Sequence, residues 1–345
     1  MRKWNFGIVG AGNIADFHAK SIQSLENAKL TGICGTNADK LKRLSERYSV
    51  KIFDSTSEML RSPDIDIIAI ATPSGAHMEP AIEAAKYGKH VICEKPLDIS
   101  LDRVDRMIEA HKSAGTRLGG IFNYRFNDAV RELKKAVDKG RFGTITNASV
   151  YVPWWRPDSY YDSSWRGTRA LDGGGAIMNQ SIHMVDMLQY MAGPVSSLKA
   201  YIATLGHPQI EVEDTAVAIL KFQNNALGMI YGSTASYPGQ FRRLEITGTG
   251  GTAILEENSL KVWQFAEKVA EDDNTISKFS KIEGGGGVSD PMAIPFEPHA
   301  RNIGAFIESV ENEKPFEIDG HEARKAVEIV VAMYESSRMN KEICF

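Results

Sequence analysis

Cysteine is scarce in this chain, and long hydrophobic runs are missing. The three cysteines, Cys34, Cys93 and Cys344, form neither a C-x-x-C pair nor a Cys/His cluster, so the sequence predicts reduced thiols and no metal site. No stretch approaches the roughly 20 apolar residues of a membrane-spanning helix, and the chain starts without a signal-peptide pattern. We therefore expect a cytoplasmic protein without a membrane partner.

The sequence also lacks a strong charge of one sign. Its 345 residues carry a formal net charge of -4, with 24% charged and 43% hydrophobic residues, as in a globular protein. Without a basic patch, nucleic acid is not an expected partner. Neither a G-x-S-x-G elbow nor a P-loop is present, which excludes two common reaction classes. The remaining partners are small molecules and further copies of the chain.

The first third of the chain alternates short apolar runs with amphipathic segments. This pattern is typical of parallel strands joined by helices. The strand-like runs are residues 6–9, 30–34, 65–71, 90–93 and 117–122. Helical periodicity marks residues 14–25, 40–48, 76–87 and 101–114. The sequence therefore predicts an α/β fold that begins with a doubly wound Rossmann domain over residues 1–122.

Longer strand-like segments follow residue 122, and turns separate them. They cover residues 144–152, 197–203, 216–222, 227–233 and 243–247. Helices are predicted at residues 128–138, 177–191 and 321–338. The pattern predicts a second, α+β domain over residues 123–345 with a large, mostly antiparallel sheet. The four consecutive glycines within residues 283–288 predict a mobile loop.

A dinucleotide fingerprint, G-x-G-x-x-A, joins the first strand to the first helix. Gly10 permits a tight turn, Gly12 lets the backbone approach a pyrophosphate, and Ala15 allows close helix packing. The helix begins at Asn13 and Ile14, whose amide groups lie at its positive end and favour phosphate. The fingerprint predicts a dinucleotide site, for which FAD competes with NAD(P).

The end of the second strand distinguishes NAD from NADP. An acidic residue there binds the ribose 2′-hydroxyl and repels a 2′-phosphate. Here Gly35 takes that place, and the donors Thr36, Asn37 and Lys40 follow. The cofactor expected is NAD(P), with NADP(H) slightly favoured. Asp39, reached by a differently shaped loop, would favour NAD(H) instead.

Two further motifs follow the fourth and fifth strands, T-P-x-x-x-H and E-K-P. Together with the fingerprint, they resemble the Gfo/Idh/MocA family of sugar and cyclitol dehydrogenases. The resemblance continues through the N-Y-R-F segment at 123–126, the D-G-G-G segment at 172–175 and the closing helix. It implies that cofactor contacts come from these motifs, namely from Thr72, Pro73, His77, Glu94, Lys95 and Asn123.

The resemblance also implies a catalytic role for Lys95, because the family places this lysine between nicotinamide and substrate. A partly desolvated lysine there can hold or donate the proton of the reacting hydroxyl group. The second catalytic candidate is His183, which shares a helix face with Asn179 four residues earlier. Asn179 replaces the family's usual acid, so it orients the imidazole without stabilising its charge. His183 and Asn179 are both expected to contact substrate. The alternatives are a surface lysine and a structural histidine.

An irregular segment rich in aromatic residues and arginine covers residues 153–168. Aromatic faces stack on sugar rings and nicotinamide, and arginine binds carboxylates or phosphates. The W-R-G-T and D-G-G-G order is similar to family members acting on nucleotide-linked amino sugars or sugar acids. Trp165 and Arg166 are expected at the cofactor, and the residues expected at the substrate are Lys95, Arg125, Tyr161, Arg166 and Asp172. An ion pair with an acid of its own helix is the alternative for Arg125.

These observations predict an NAD(P)-dependent oxidoreductase that acts on a CH–OH or C=O carbon of a sugar, cyclitol or sugar derivative, nucleotide sugars included. Two alternatives stay open: an NAD(P)-sensing regulator that has lost catalysis, and an NAD-dependent glycoside hydrolase of the same fold. The presence of Lys95 and His183 speaks against the regulator. The resemblance also implies a homodimer or homotetramer, formed through the exposed face of the second-domain sheet.

Overall fold

The computed structural model describes residues 2–163, 165–281 and 295–345. The chain divides into two compact units, residues 1–123 with 296–327 and residues 124–295 with 328–345. This division differs from the expected one because residues 296–327 belong to the first unit. The predicted loop at 283–288 lies outside the described residues. Within the described ranges, no helix is both long and apolar enough to cross a bilayer.

The first unit contains a six-stranded sheet in which every strand pair is parallel. Its strands are β1 (Trp4–Val9), β2 (Ala28–Cys34), β3 (Lys51–Ile52), β4 (Ile67–Ile70), β5 (His90–Cys93) and β6 (Leu118–Gly120). The helices between them are α1 (Asn13–Gln23), α2 (Ala38–Tyr48), α3 (Thr56–Arg61), α4 (Met78–Lys86) and α5 (Leu101–Ala114). The strand order is β3-β2-β1-β4-β5-β6, which confirms the predicted Rossmann fold and places its switch point between β1 and β4.

A C-terminal segment completes the first unit. It consists of α9 (Glu297–Glu311) and the residues up to Val327, which include the first turns of α10 (Gly320–Met339). The buried face of α9 carries Ile303, Phe306 and Ile307, and the chain then returns to β6, where the Gly120 amide donates to the Ile318 carbonyl at 2.9 Å. The sequence pattern of residues 117–122 predicted the strand but not this partner.

The second unit is built on an eight-stranded sheet. Its strands are β7 (Ile145–Pro153), β8 (Val195–Ala203), β9 (Thr215–Phe222), β10 (Leu227–Ser233), β11 (Arg243–Gly248), β12 (Gly251–Glu256), β13 (Ser259–Phe265) and β14 (Ile343–Cys344). The order is β13-β12-β11-β7-β10-β9-β8-β14. Only the β7–β10 pair is parallel among these described strands, so the predicted, mostly antiparallel sheet is confirmed. The helices are α6 (Asp128–Asp138), α7 (Ile182–Ala192) and α8 (Asp272–Phe279).

The two faces of this sheet differ in exposure. Along β9, Ala218 and Leu220 are buried, whereas Val217 and Ile219 point to the other face, where Ile219 is 63% exposed. Tyr201 of β8 pairs with Val217 and is 66% exposed. Alternation of this kind is expected for a sheet that packs its core on one side. Among the described residues, this second face carries exposed apolar side chains, such as Tyr201, Ile219 and Leu227, beside Lys221.

Candidate active site

The fingerprint loop has the backbone geometry that a pyrophosphate site requires. Gly10 has a φ of 119°, and a side chain there would overlap the Ala71 carbonyl oxygen. Gly12 is the N-cap of α1 and provides no side-chain cap, so the amides at this helix end stay available to an anion. A Cβ at Gly12 would have no protein atom within 4 Å. The backbone amides at the start of α1 and the open space beside Gly12 are suited to the pyrophosphate of a dinucleotide.

The residues after β2 lie at the surface. Gly35, Thr36 and Lys40 are exposed, and the Asn37 side chain caps α2 by accepting the Lys40 amide at 2.9 Å. Residues 35–37 include no carboxylate, while Asp39 lies exposed in the first turn of α2. The predicted contacts at Thr36 and Lys40 are therefore accessible, whereas the Asn37 oxygen is already used as a cap.

His77 joins the T-P-x-x-x-H and E-K-P segments. Its ring is buried, with Nδ1 2.9 Å from the Pro96 carbonyl and Nε2 3.0 Å from the Thr72 carbonyl. The Lys95–Pro96 peptide bond is cis. Because both ring nitrogens of His77 face backbone carbonyls, the side chain holds the ends of β4 and β5 together. Pro73 directly precedes the short 3-10 turn at Ser74–Ala76.

Lys95 is half-buried, and its backbone amide donates to the Glu94 Oε2 atom at 3.1 Å. Glu94 is buried, and its Oε1 atom accepts from His18 Nε2 at 2.8 Å and from His299 Nε2 at 3.1 Å. Burial alone would raise the pKa of Glu94, but the hydrogen bonds and charges of His18 and His299 outweigh it and hold the pKa well below its usual range. Asn123 donates to His299 Nδ1 at 3.0 Å. We call His18, Glu94 and His299 the His–Glu–His triad.

In the second unit, His183 packs against Tyr124. The two rings stack with their centroids 4.4 Å apart. The Tyr124 hydroxyl accepts from Arg242 at 2.8 Å, and the Arg242 guanidinium lies 3.8 Å from the tyrosine ring. Burial raises the pKa of Tyr124, so its hydroxyl stays protonated. His183 is thus held by an aromatic ring whose own position is fixed by a buried arginine.

Asn179 lies in a π-helical turn, Ala176–Ser181, that precedes α7. The sequence predicted one regular helix over residues 177–191, and this prediction is wrong at its start. A π turn has more residues than an α turn, so the four-residue spacing between Asn179 and His183 does not itself place them on one face. The Asn179 amide donates to Asp172, whose other oxygen accepts the Gly167 amide at 2.8 Å. Asp172 therefore links the W-R-G-T and D-G-G-G segments.

The buried carboxylate of Glu213 fixes the start of that π turn. It accepts the Gly175 amide at 3.0 Å, the Ile177 amide at 2.9 Å and the Tyr334 hydroxyl at 3.1 Å. Side chains at Gly174 and Gly175 would overlap Tyr334 and the Glu213 backbone, which explains the consecutive glycines. Desolvation raises the pKa of Glu213 to about 6, although these hydrogen bonds oppose it.

Replacement of Glu213 by Gln should change how stability depends on pH. The folded-state pKa lies above the ordinary value, so protonation stabilises the fold at low pH, and this contribution is lost as the pH rises from 4.5 through about 6. The shift corresponds to roughly 2 kcal/mol. Urea unfolding should show the free-energy difference between wild type and E213Q changing by about this amount between about pH 4 and pH 7. A pH-independent difference would contradict it.

Arg125 forms a bidentate ion pair with Asp186 of α7, with its Nε 2.7 Å from Oδ2. Both side chains are almost fully buried, and the guanidinium lies 4.2 Å from the Tyr190 ring. The structure therefore places the charge of Arg125 against a helix of the second unit. The alternative considered for this residue was an acid on its own helix, and the partner is instead on the helix that carries His183.

The aromatic segment places two arginines around Tyr160. The Arg166 guanidinium lies 4.2 Å and the Arg156 guanidinium 5.5 Å from its ring. Arg166 and Trp165 are half-buried, and Arg156 is buried, which lowers its pKa. Tyr161 differs, since its hydroxyl bonds Thr234 at 2.8 Å and burial raises its pKa. Arg166 and Trp165 thus keep partial access to solvent, while the Tyr161 hydroxyl is turned inward.

Several residues that shape these sites gave no sequence signal. His18 and His299 are 281 positions apart and belong to no recognised spacing. Glu213, Tyr334 and Arg242 lie on or beside strands and helices predicted for packing alone. Only the triple glycine at 173–175 hinted that a large neighbour approaches the backbone there. The first-unit residues and the second-unit residues each form a coherent group in their own unit.

Comparisons with known proteins agree with this geometry. Residues 4–121 match the family model described as "Oxidoreductase family, NAD-binding Rossmann fold", and residues 130–254 match the GFO/IDH/MocA C-terminal domain. The chain is 28% identical to myo-inositol 2-dehydrogenase of Thermotoga maritima, over 98% of this chain and 97% of that protein. The chain belongs to the Gfo/Idh/MocA family and is an oxidoreductase, as predicted.

Two solved structures share both the fold and a substantial part of the sequence. The WlbA dehydrogenase from Bordetella pertussis, in complex with NADH and UDP-GlcNAcA, is 35% identical, with a TM-score of 0.89 and coverage of 100% of this chain and 99% of that one. The WlbA dehydrogenase from Chromobacterium violaceum, with the same two ligands, is 34% identical, with a TM-score of 0.90 and coverage of 100% and 96%.

Proposed function

We propose that this chain is an NAD(P)-dependent dehydrogenase whose substrate is a nucleotide-linked sugar acid of the UDP-GlcNAcA type. The observation that carries the proposal is the full-length similarity to WlbA, at 35% identity, in a complex with that ligand. The arginine and aromatic side chains of the segment around Tyr160 support it, since a guanidinium binds carboxylate or phosphate and an aromatic face stacks on a sugar ring.

The proposed reaction converts a secondary alcohol to a ketone, and the nicotinamide supplies the hydride acceptor. The oxidation releases one hydroxyl proton to a base of the protein, and we propose Lys95 as this base, with His183 as the alternative. Stacking on Tyr124 fixes the plane of the His183 ring. The reverse reaction uses the same groups as acids.

A substrate comparison tests the proposal. The chain is incubated with NAD⁺ or NADP⁺ and with UDP-GlcNAcA, UDP-GlcNAc, myo-inositol or levoglucosan, and reduced nicotinamide is recorded. We expect kcat/KM for UDP-GlcNAcA to exceed that for the neutral sugars by about 100-fold, which corresponds to one or two charge-assisted hydrogen bonds. Equal rates on the polyols would overturn the proposed substrate. Release of free sugar without net reduction would indicate a glycosidase, and binding without turnover a regulator.

Arg166 is the arginine for which we expect a direct effect on this substrate. Replacement by Gln should raise KM for UDP-GlcNAcA about tenfold through the loss of one charge-assisted contact, with kcat changed less. The matched control is Arg169→Gln, because Arg169 lies three residues away, is exposed and bonds the Glu211 carbonyl at 3.1 Å. Steady-state kinetics of both variants provide the measurement. Equal KM values for R166Q and wild type would remove Arg166 from the substrate site.

For the cofactor, we propose that the chain accepts NADP(H) as well as NAD(H). The similar structures contain NADH, while residues 35–37 of this chain carry no acid to repel a 2′-phosphate. Introduction of an acid by Gly35→Asp should weaken NADP(H) binding about 10- to 100-fold and leave NAD(H) nearly unchanged. The new Cβ would lie 3.5 Å from Ala11, an ordinary contact. Fluorescence titration with both reduced cofactors measures this, and equal losses would contradict it.

We further propose a cytoplasmic homodimer or homotetramer. The uncovered face of β8–β10, with Tyr201, Ile219 and Leu227 each more than half exposed, supplies an apolar surface of the kind that subunits cover. The cysteines are not paired in disulfides, which suits a reducing compartment. Sedimentation equilibrium should give two or four times the 38.0 kDa chain mass, and a monomer at micromolar concentration would exclude this interface.

A further inference from the structure

The His–Glu–His triad joins three separate elements of the first unit. His18 lies on α1, the helix whose N-terminus carries the fingerprint, and His299 lies on α9. Glu94 directly follows β5 and precedes Lys95. One carboxylate oxygen receives both imidazole N–H groups, at 2.8 and 3.1 Å, and the other receives the Lys95 amide at 3.1 Å. The carboxylate therefore accepts from three donors, two at one oxygen and one at the other.

Packing alone does not explain why the three buried side chains of the triad are polar. His18 is 0% exposed, and among the described residues its Nδ1 atom has no hydrogen-bond partner, so the bond to Glu94 is what this ring contributes. An orphan polar atom in the interior destabilises a fold. A buried ionic group is often replaced by apolar side chains at no loss of stability. The two histidines and the carboxylate are therefore expected to have a function other than stabilising the fold.

The ligand atoms of the triad lie within 4.8 Å of one another, close enough for a metal ion. However, the Nε2 atoms already share Glu94 Oε1 at hydrogen-bond distance. With the Asn123 amide nitrogen facing Nδ1 of His299, that ring carries its proton on Nε2 and donates it to Glu94. Hydrogen bonds alone account for the arrangement.

We propose that His18, Glu94 and His299 are positioning residues that fix Lys95 relative to the helix holding the dinucleotide pyrophosphate. This inference rests on the proposed function of Lys95. The triad connects the helix that binds one end of the cofactor to the strand end that presents the reacting amine. Displacement of a reacting group by about 1 Å lowers a rate by about 100-fold. The triad therefore acts on the rate of proton transfer and not on cofactor binding.

Paired substitutions separate the hydrogen bond from the packing. His299→Leu and His18→Leu remove a donor, whereas His299→Gln and His18→Gln place an amide N–H near the former Nε2 atom. We expect the leucine variants to lose about 10- to 100-fold in kcat, with KM for the dinucleotide within about threefold, and the glutamine variants to recover most of the loss. Glu94→Gln should shift the pH profile of kcat to lower pH, because it removes a negative charge from the residue next to Lys95 in the chain.

The control is His111→Leu, which removes another buried histidine of the same unit, bonded to Thr116 and the Ala81 carbonyl. It should lower the melting temperature and leave kcat and its pH profile as in wild type. If the triad variants behave in the same way as H111L, the positioning role is wrong.

A second readout does not depend on the substrate. Acetic anhydride labelling of the NADH-bound chain, followed by mass spectrometry over a range of pH, reports the ionisation and accessibility of Lys95. We expect the labelling profile of Lys95 to shift in H299L and E94Q and to return in H299Q. Should wild type turn over none of the sugars, the proposed function fails while this measurement still tests the triad. An unchanged Lys95 profile in E94Q would overturn the inference.

Discussion

Replacement of Lys95 by Ala should lower kcat about a thousandfold and leave the dissociation constant of NAD(H) within about threefold. The loss in kcat is the size expected when a general acid–base group is removed. The dissociation constant of NAD(H) changes little because the backbone of the fingerprint loop, and not the Lys95 ammonium group, provides the pyrophosphate donors. Single-turnover kinetics with UDP-GlcNAcA and fluorescence titration with NADH give the two values separately.

The control for this prediction is Lys112→Ala, which removes an exposed lysine from the last turn of α5 in the same unit. It should leave both values unchanged. If K95A retained the wild-type kcat, Lys95 would have no part in the mechanism, and the triad would have no reacting group to position. A large loss of NADH affinity in K95A would instead make Lys95 a binding residue.

Replacement of Arg125 by Ala should lower the free energy of unfolding of the second unit by about 3–5 kcal/mol. The substitution leaves the Asp186 carboxylate, which is fully buried, without the guanidinium that binds it at both oxygens. Urea denaturation followed by tryptophan fluorescence measures the loss. Because Asp186 lies three residues from His183 on α7, we also expect turnover to fall.

The double variant Arg125→Met/Asp186→Leu distinguishes an ion pair from a substrate contact. It removes the unpaired charge and fills the space, so it should recover most of the stability lost in R125A. KM for UDP-GlcNAcA near the wild-type value in the double variant would support a structural role for Arg125. If KM for UDP-GlcNAcA in the double variant instead rises about tenfold, as expected for R166Q, Arg125 contacts substrate, as the sequence predicts, and its ion pair is of secondary importance.

The fold of the first unit was predictable from local patterns. Strands such as Ile67–Ile70 are buried on both faces and therefore read as continuous apolar runs. The sequence did not reveal that α9 belongs to this unit, because its place is determined by contacts with α1 and with residues next to β6, such as the Asn302 side chain that accepts the Phe122 amide, and not by proximity in the chain. β12 and β13 were not predicted, because each is a short segment in which buried residues are mixed with partly exposed or exposed ones.

The candidate site was predictable where a motif constrains the backbone. Gly10 adopts a positive φ and Gly12 has open space where a Cβ would lie, and both features follow from residue type. The partners of polar side chains were not predictable. His77 has its two ring nitrogens against two carbonyls, Asn179 bonds Asp172, and Arg125 bonds Asp186, and each choice depends on elements that only the folded chain brings together.

A calorimetric titration of the folded chain with NADH tests whether the fingerprint loop binds a dinucleotide. We expect one site per chain, and in Gly12→Val the loss of that site without loss of stability, because a Cβ there has open space around it in the protein but occupies the approach of the pyrophosphate. Absence of binding heat for both NADH and NADPH with the folded wild-type chain, or equal binding by G12V, would contradict it.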